Sequence, residues 1–322
     1  MDTASLILGS PRGRFFCANV GYLCSDDERA QLSYRRRWSG DALEVLAAVD
    51  VPAIARLSEL ELLGAMAYAA DNAYYWQPPD EQDLMFARPE IVEALRPIAR
   101  AVVASPHARW WSESADLANQ RLVEKSDSRR DRSELPPRIR PADDRLERWN
   151  MNVGGEWWST PMTVRGGVPA TTRARTGLGA LELLLEEDSM GWERARVWPL
   201  RIHGAPRVYE ITDPAAWVRL VDAYPFAVPS RRSEWHHTTG VHHDWFIPDW
   251  AAVAVDYDAV HLTMTGYLGT PGIAIPLAAQ SGATVLAGWD PDATFWLRSG
   301  IIAVDDGPTE WNRSADGEWS PA

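Results

Sequence analysis

The hydrophobic period changes partway along the chain, and that change restricts the fold more than any other feature. Up to residue 124 apolar side chains recur at helical spacing, whereas beyond Met151 short alternating runs are separated by turn residues. The pattern predicts an α+β protein: an N-terminal helical region, then a mixed, mostly antiparallel sheet with short flanking helices. Residues 1–124 form the helical region, 125–150 a polar linker or exposed loop, 151–305 the α+β domain with the candidate site, and 306–322 an irregular tail.

Local signals place the elements. Ser58 with Glu61 three positions on makes a capping box, after which Leu60, Leu63, Ala67 and Ala70 keep helical spacing. A second helix starts at Pro89, carries Ile91, Leu95, Ile98 and Val102 on one side, and ends before Pro106, with Pro97 as an internal kink or break. From Lys125 to Arg148 mixed charges and three prolines remove both the period and backbone donors, as in a solvated connector. Leu181–Glu187 and Arg194–Ile202 read as a hairpin, and Arg207–Ile211 as a strand feeding a helix capped by Asp213 and opened by Pro214. Asp249 caps a further short helix, and the run from Tyr257 to Leu268 reads as one strand. Its alternation sends His261, Thr263, Thr265 and Tyr267 to one face and Val260, Leu262 and Met264 to the other. Shorter strands are expected at 273–277, 284–289 and 294–297.

Composition removes several functions. A net charge of −13 disfavours nucleic acid and anionic lipid as partners. Lys125 is the only lysine among 32 basic residues, and its polar neighbourhood suits neither a P-loop, nor a kinase strand, nor Schiff-base chemistry. Cys17 and Cys24 are too few for a thiolate zinc cage. Neither a Gly-rich dinucleotide fingerprint nor a Gly-x-Ser-x-Gly elbow occurs. The first residues lack a basic start followed by an apolar run, and no stretch approaches the ~20 apolar residues of a membrane span. A cytoplasmic location is expected.

Five of the seven histidines fall between Trp235 and Trp296. His236, His237, His242 and His243, near Asp244 and Asp249, are candidate metal ligands, although their spacing matches no standard signature and a polar loop explains them as simply. His261 is set within a strand among hydroxyls and rings, either as a hydrogen-bonded core residue or as the floor of a pocket. The turn Trp289-Asp-Pro-Asp292 offers two carboxylates that can orient a hydroxyl or act as a base.

The stretches Pro206–Trp217, Trp245–Trp250 and Tyr257–Thr263 resemble a group of actinobacterial proteins. Val208-Tyr-Glu-Ile211 followed by a helix, and Tyr257-Asp-Ala-Val-His-Leu262, are distantly similar to the catalytic half of the ADP-ribosyltransferase superfamily. That resemblance covers at most a third of the chain. It implies an NAD-using transferase in which Arg207 or His203 holds ribose or phosphate, and His261 or Thr263 faces the nicotinamide. Thr265 and Tyr267 line the cofactor, and Asp290 or Asp292 stands near the ribose. Two departures are plain: Glu210 stands where the first-strand base is expected, and no strand glutamate follows Thr284. The substrate would be a small molecule or a protein. The alternatives are a metal-dependent enzyme built on the His236–His243 cluster and an interaction module that docks partners on surface tryptophans.

Overall fold

The computed structural model describes residues 2–25, 42–126, 157–163, 166–228, 233–304 and 307–322. Within them the N-terminal layer consists of α1 (Thr3–Ile7), α2 (Pro11–Leu23), α3 (Ala42–Ala47), α4 (Glu59–Asp71), α5 (Glu81–Phe86) and α6 (Pro89–Ala104). Two 3-10 turns, Val51–Arg56 and Pro106–Ser112, connect and close it. The Ser58–Glu61 capping box forms as read: the Ser58 hydroxyl accepts the Glu61 N–H, and the Glu61 carboxylate accepts the Ser58 N–H at 2.8 Å. Leu62, Leu63, Met66 and Ala70 form the buried face of α4, while Leu60 stays half exposed. Helix α6 runs undivided through Pro97 and buries Ile91, Leu95, Ile98 and Val102.

The strands in chain order are β1 (Gln120–Ser126), β2 (Met162–Thr163), β3 (Gly166–Gly167), β4 (Ala170–Arg175), β5 (Gly179–Ala180), β6 (Arg194–Ile202), β7 (Val208–Ile211) and β8 (Pro225–Ala227). They continue with β9 (Phe246–Pro248), β10 (Ala259–Leu262), β11 (Ile275–Pro276), β12 (Ala283–Thr284), β13 (Thr294–Trp296), β14 (Ile302–Val304), β15 (Thr309–Arg313) and β16 (Trp319–Pro321). Ten of them make one sheet in the order β16-β15-β6-β1-β4-β13-β10-β7, with β14 also on β6 and β5 also on β4. Every pairing in it is antiparallel except β7 with β10. This is the α+β architecture, helices first and then a mostly antiparallel mixed sheet. The remaining helices are α7 (Pro214–Ala223), α8 (Ser233–Thr239), α9 (Trp250–Asp256) and α10 (Met264–Gly269). Asp213 and Asp249 cap α7 and α9 through Ala216 and Ala252.

Several sequence expectations are corrected. Strand β1 takes in Lys125 and Ser126, so the expected connector does not begin at 125; its residues 127–150 lie outside the described set. The expected hairpin partner at 181–187 is a 3-10 turn at Leu181–Leu183, because β6 pairs instead with β1, β14 and β15. The tail is not irregular, since β15 lies on β6 and β16 on β15.

The largest correction concerns the run after Tyr257. Only Ala259–Leu262 is strand, and the chain turns into α10 at Thr263. The Thr263 hydroxyl accepts the Gly266 N–H at 2.9 Å, which is N-cap geometry. A Cβ on Gly266 would sit 2.3 Å from the Ile211 carbonyl oxygen, so only glycine lets the first turn of α10 settle on the end of β7. Thr263→Ala is expected to cost about 1 kcal/mol in urea unfolding, and an unchanged midpoint would contradict the capping role.

One face of the β7–β10–β13 region carries Ile211, Val260, Leu262 and Phe295 into a core shared with Trp217, Trp250 and Trp289. The same continuous core includes Phe16, Leu63, Leu95 and Trp111 from the helical layer. The other face carries polar groups, and the candidate site lies there.

Candidate functional site

Parallel register places Glu210 of β7 beside His261 of β10. Antiparallel register places Thr294 of β13 on the other side of His261, and Thr171 of β4 opposite Thr294. Cross-strand partners project to the same face, and Arg173, two residues after Thr171, joins them. The residues on that face form one charged row. His261 is fully buried, with Nδ1 at 2.5 Å from Glu210 Oε2 and Nε2 at 3.2 Å from Asp292 Oδ1. Asp292 is 1% exposed and also accepts from Arg173, whose Nε lies 2.8 Å from Oδ1 and whose backbone N–H lies 3.1 Å from Oδ2.

Burial alone would push the His261 pKa down, but the hydrogen bonds to Asp292 and Glu210 outweigh it and hold the imidazole above its ordinary value. Burial would likewise raise Asp292, yet His261 and Arg173 keep it below the usual carboxylate range. Once the imidazole is protonated, the row runs carboxylate, imidazolium, carboxylate, guanidinium, each charge facing its opposite. Asp292 reaches its place from a left-handed backbone, φ +62°, a conformation that few non-glycine residues adopt.

Glu210 is the end of the row near solvent, its side chain 22% exposed against 0% for His261. The segment after the Pro106–Ser112 turn lies over it. The Ala115 N–H donates to Glu210 Oε1 at 3.1 Å, the Ser114 carbonyl accepts from Arg173 at 3.1 Å, and the Ser112 hydroxyl bonds Thr265 Oγ1 at 2.8 Å. Glu113 stands 3.6 Å from Arg173 and is largely exposed. The anchor of this segment is Trp110, whose ring contacts the guanidinium groups of both Arg173 and Arg175 at 4.9 and 4.7 Å. Its indole N–H donates to Glu59, which pairs with Arg175 at 2.6 Å.

The residues proposed from sequence divide among several places. His261 and Asp292 meet, and Thr265 touches the segment that covers them. Asp290, two residues from Asp292, faces elsewhere: its Oδ1 accepts the Glu187 N–H at 2.7 Å, and burial raises its pKa to about 6 despite Lys125 nearby. Arg207 does not join the row. It precedes β7, three residues before Glu210, is half exposed, and binds Asp258 and the Val255 carbonyl. Thr263 spends its hydroxyl on the α10 cap, and buried Tyr267 points to the helical layer, where burial and Glu187 drive its pKa far up. The expected shared face of His261, Thr263, Thr265 and Tyr267 therefore does not exist, because helix geometry replaces the pleat.

Two members were missed, Glu210 as a site residue and Arg173. Glu210 carried a signal, a lone charge within the apolar strand Val208-Tyr-Glu-Ile211. Arg173 carried none, since its partner Asp292 is 119 residues away. Lys125 is also corrected: it is not a solvated side chain but is 8% exposed, 3.0 Å from Glu186 and 3.7 Å from Glu182. Burial lifts the Glu182 pKa to about 8.

His236 and His242 face each other with ring centroids 4.0 Å apart, and His236 Nδ1 lies 2.9 Å from the Val241 carbonyl oxygen. Among the described residues no three His, Cys, Asp or Glu side chains converge as a metal site. Nor is any tryptophan among them largely exposed; Trp217, Trp235, Trp245, Trp250, Trp289 and Trp296 are fully buried. No helix among the described residues is long and apolar enough to cross a membrane. No family model, no curated protein and no solved structure matches this chain.

Proposed function

We propose that the protein is an enzyme that transfers or hydrolyses at an N-glycosidic bond, with Glu210 as the carboxylate that meets the ribosyl group and NAD as the donor. The observation that carries this reading is the buried Glu210–His261–Asp292–Arg173 row with its single carboxylate end near solvent. Fully buried ion pairs add little stability over apolar packing, so such a row suggests a use beyond holding the sheet together. Loss of nicotinamide from a ribose builds positive charge on the sugar. A fixed carboxylate stabilises that charge and orients a ribose hydroxyl, as carboxylates do in glycoside chemistry.

Each neighbour has a task in this scheme. His261, donating to both carboxylates, fixes the direction of Glu210, and the Ala115 N–H holds its second oxygen. Asp292, itself held as a carboxylate by Arg173, favours the protonated imidazole together with Glu210. The likeness of β7 and β10 to the first and second strands of ADP-ribosyltransferases is the reason to choose NAD among ribosyl donors. Glu210 then takes the task that the sequence reading gave to Asp290 or Asp292. In this reading a substrate reaches Glu210 past Ser112–Ala115, which is tied to the row through the Ser114 carbonyl and the Ala115 N–H.

Titration calorimetry with NAD tests the reading. One-site binding is expected, weakened by about tenfold or more when Ala115→Pro removes the N–H that holds Glu210 and distorts the covering segment. Absence of any heat of binding, with the protein folded, would rule out NAD.

A further inference from the structure

A second opening lies away from the charged row. It is a cleft of about 530 Å³ between α4, the 183–192 segment and the β15–β16 hairpin. That volume suits a small molecule. Its walls hold Tyr68, Trp192 and Trp319, with Asp71, Asp316 and Glu318 at the rim. Glu186 also lines it, held from behind by Lys125 at 3.0 Å, and Arg313 is the one basic lining residue, its Nε donating to the Gly317 carbonyl. Asp71 keeps its place through the Ser189 N–H at 2.9 Å. The lining therefore carries a clear excess of negative charge beside aromatic faces.

We propose that this cleft binds a small organic cation of the polyamine class, independently of the function assigned to Glu210. Aromatic faces attract ammonium groups through the ring quadrupole, and carboxylates at the rim supply hydrogen-bond acceptors and charge. Among the described residues no three His, Cys, Asp or Glu side chains converge to hold a metal, so an acidic lining of several carboxylates favours an organic ligand with more than one ammonium over a metal ion. The methylene segments of such a ligand match the aliphatic side of the cleft, formed by Leu60, Leu183 and Leu184.

Gly64 offers a selective test. It lines the cleft, and a Cβ built on it would meet nothing within 4 Å, so a longer side chain grows into the opening without a clash. In a helix interior, Gly→Met is also favourable for the backbone. Equilibrium dialysis with spermidine should give saturable binding to one site, weakened severalfold between about 50 and about 300 mM salt. Gly64→Met should weaken it by about tenfold or more, and Trp192→Ala should weaken it as well, while Glu210→Gln binds normally. No saturable binding of spermidine, equal binding by Gly64→Met, or tighter binding of a neutral oligosaccharide such as maltotriose would each overturn the assignment.

Discussion

Glu210→Gln is expected to fold normally and to lose ribosyl-transfer turnover by about 100-fold or more, the scale of removing one preorganised electrostatic contact. Folding survives because the row can rearrange. The Gln amide oxygen still accepts the Ala115 N–H that reaches Glu210 at 3.1 Å, and its NH₂ then faces Nδ1 of His261. A neutral imidazole with its proton on Nε2 accepts at Nδ1 and donates to Asp292. The substitution thus removes the Glu210 charge and with it the imidazolium proton, and leaves the buried pair of Asp292 and Arg173 intact. Steady-state rates with matched far-ultraviolet circular dichroism would check this. Full activity in Glu210→Gln would remove Glu210 from the reaction.

The second large effect is on stability. Asp292→Ala leaves Arg173 and His261, both almost fully enclosed, without their shared anion, and a loss of about 3–5 kcal/mol is expected. His261→Gln should cost less, because Asp292 keeps Arg173 as its partner. The pH dependence has a fixed sign. The His261 pKa is raised above 6.5 on folding, so its stabilisation is full below 6.5 and is lost as pH rises through the folded value. The Asp292 pKa is lowered below 3.8, so its stabilisation is full above 3.8 and is lost as pH falls through the folded value. Both contributions are complete from pH 3.8 to 6.5.

Other buried acids shape the whole-protein curve. Asp290 at about 6 and Glu182 at about 8 are raised on folding, so each disfavours the folded state as pH climbs above its unfolded value. The informative quantity is therefore the difference between wild type and His261→Gln in urea unfolding over a pH series. That difference should be flat in the acidic window and shrink above pH 6.5. A difference that grows with pH would contradict a charged His261.

What was legible in the sequence was local. Ser58 with Glu61, Asp213 with Pro214, and Asp249 each announced a helix start, because a cap is satisfied by its own neighbours. The 3.6-residue stripe of α6 was equally readable. Alternation misled after Tyr257: His261 and Thr263 obey a period of two, but Thr263 is also a capping residue three positions before Gly266, and the cap prevailed. Strands β1, β15 and β16 were unreadable because each owes its order to a distant partner, ultimately β6.

The candidate site follows the same division. His261 and Asp292 were visible as chemistry-bearing types, yet nothing in Asp290-Pro-Asp292 said that its two carboxylates face different clusters. The positive φ at Asp292 and the remote Arg173 decide that, and both are properties of the folded chain. Glu210 was noticed only as a departure from a family pattern, whereas its place beside His261 in the parallel register makes it the end of the row nearest solvent.

The most direct test of the account is nicotinamide release from NAD, measured under identical conditions for wild type and Glu210→Gln. Measurable release by wild type is expected, falling by about 100-fold or more in the variant. Release that is equal in both proteins, or absent from wild type in the presence of bound NAD, would contradict it.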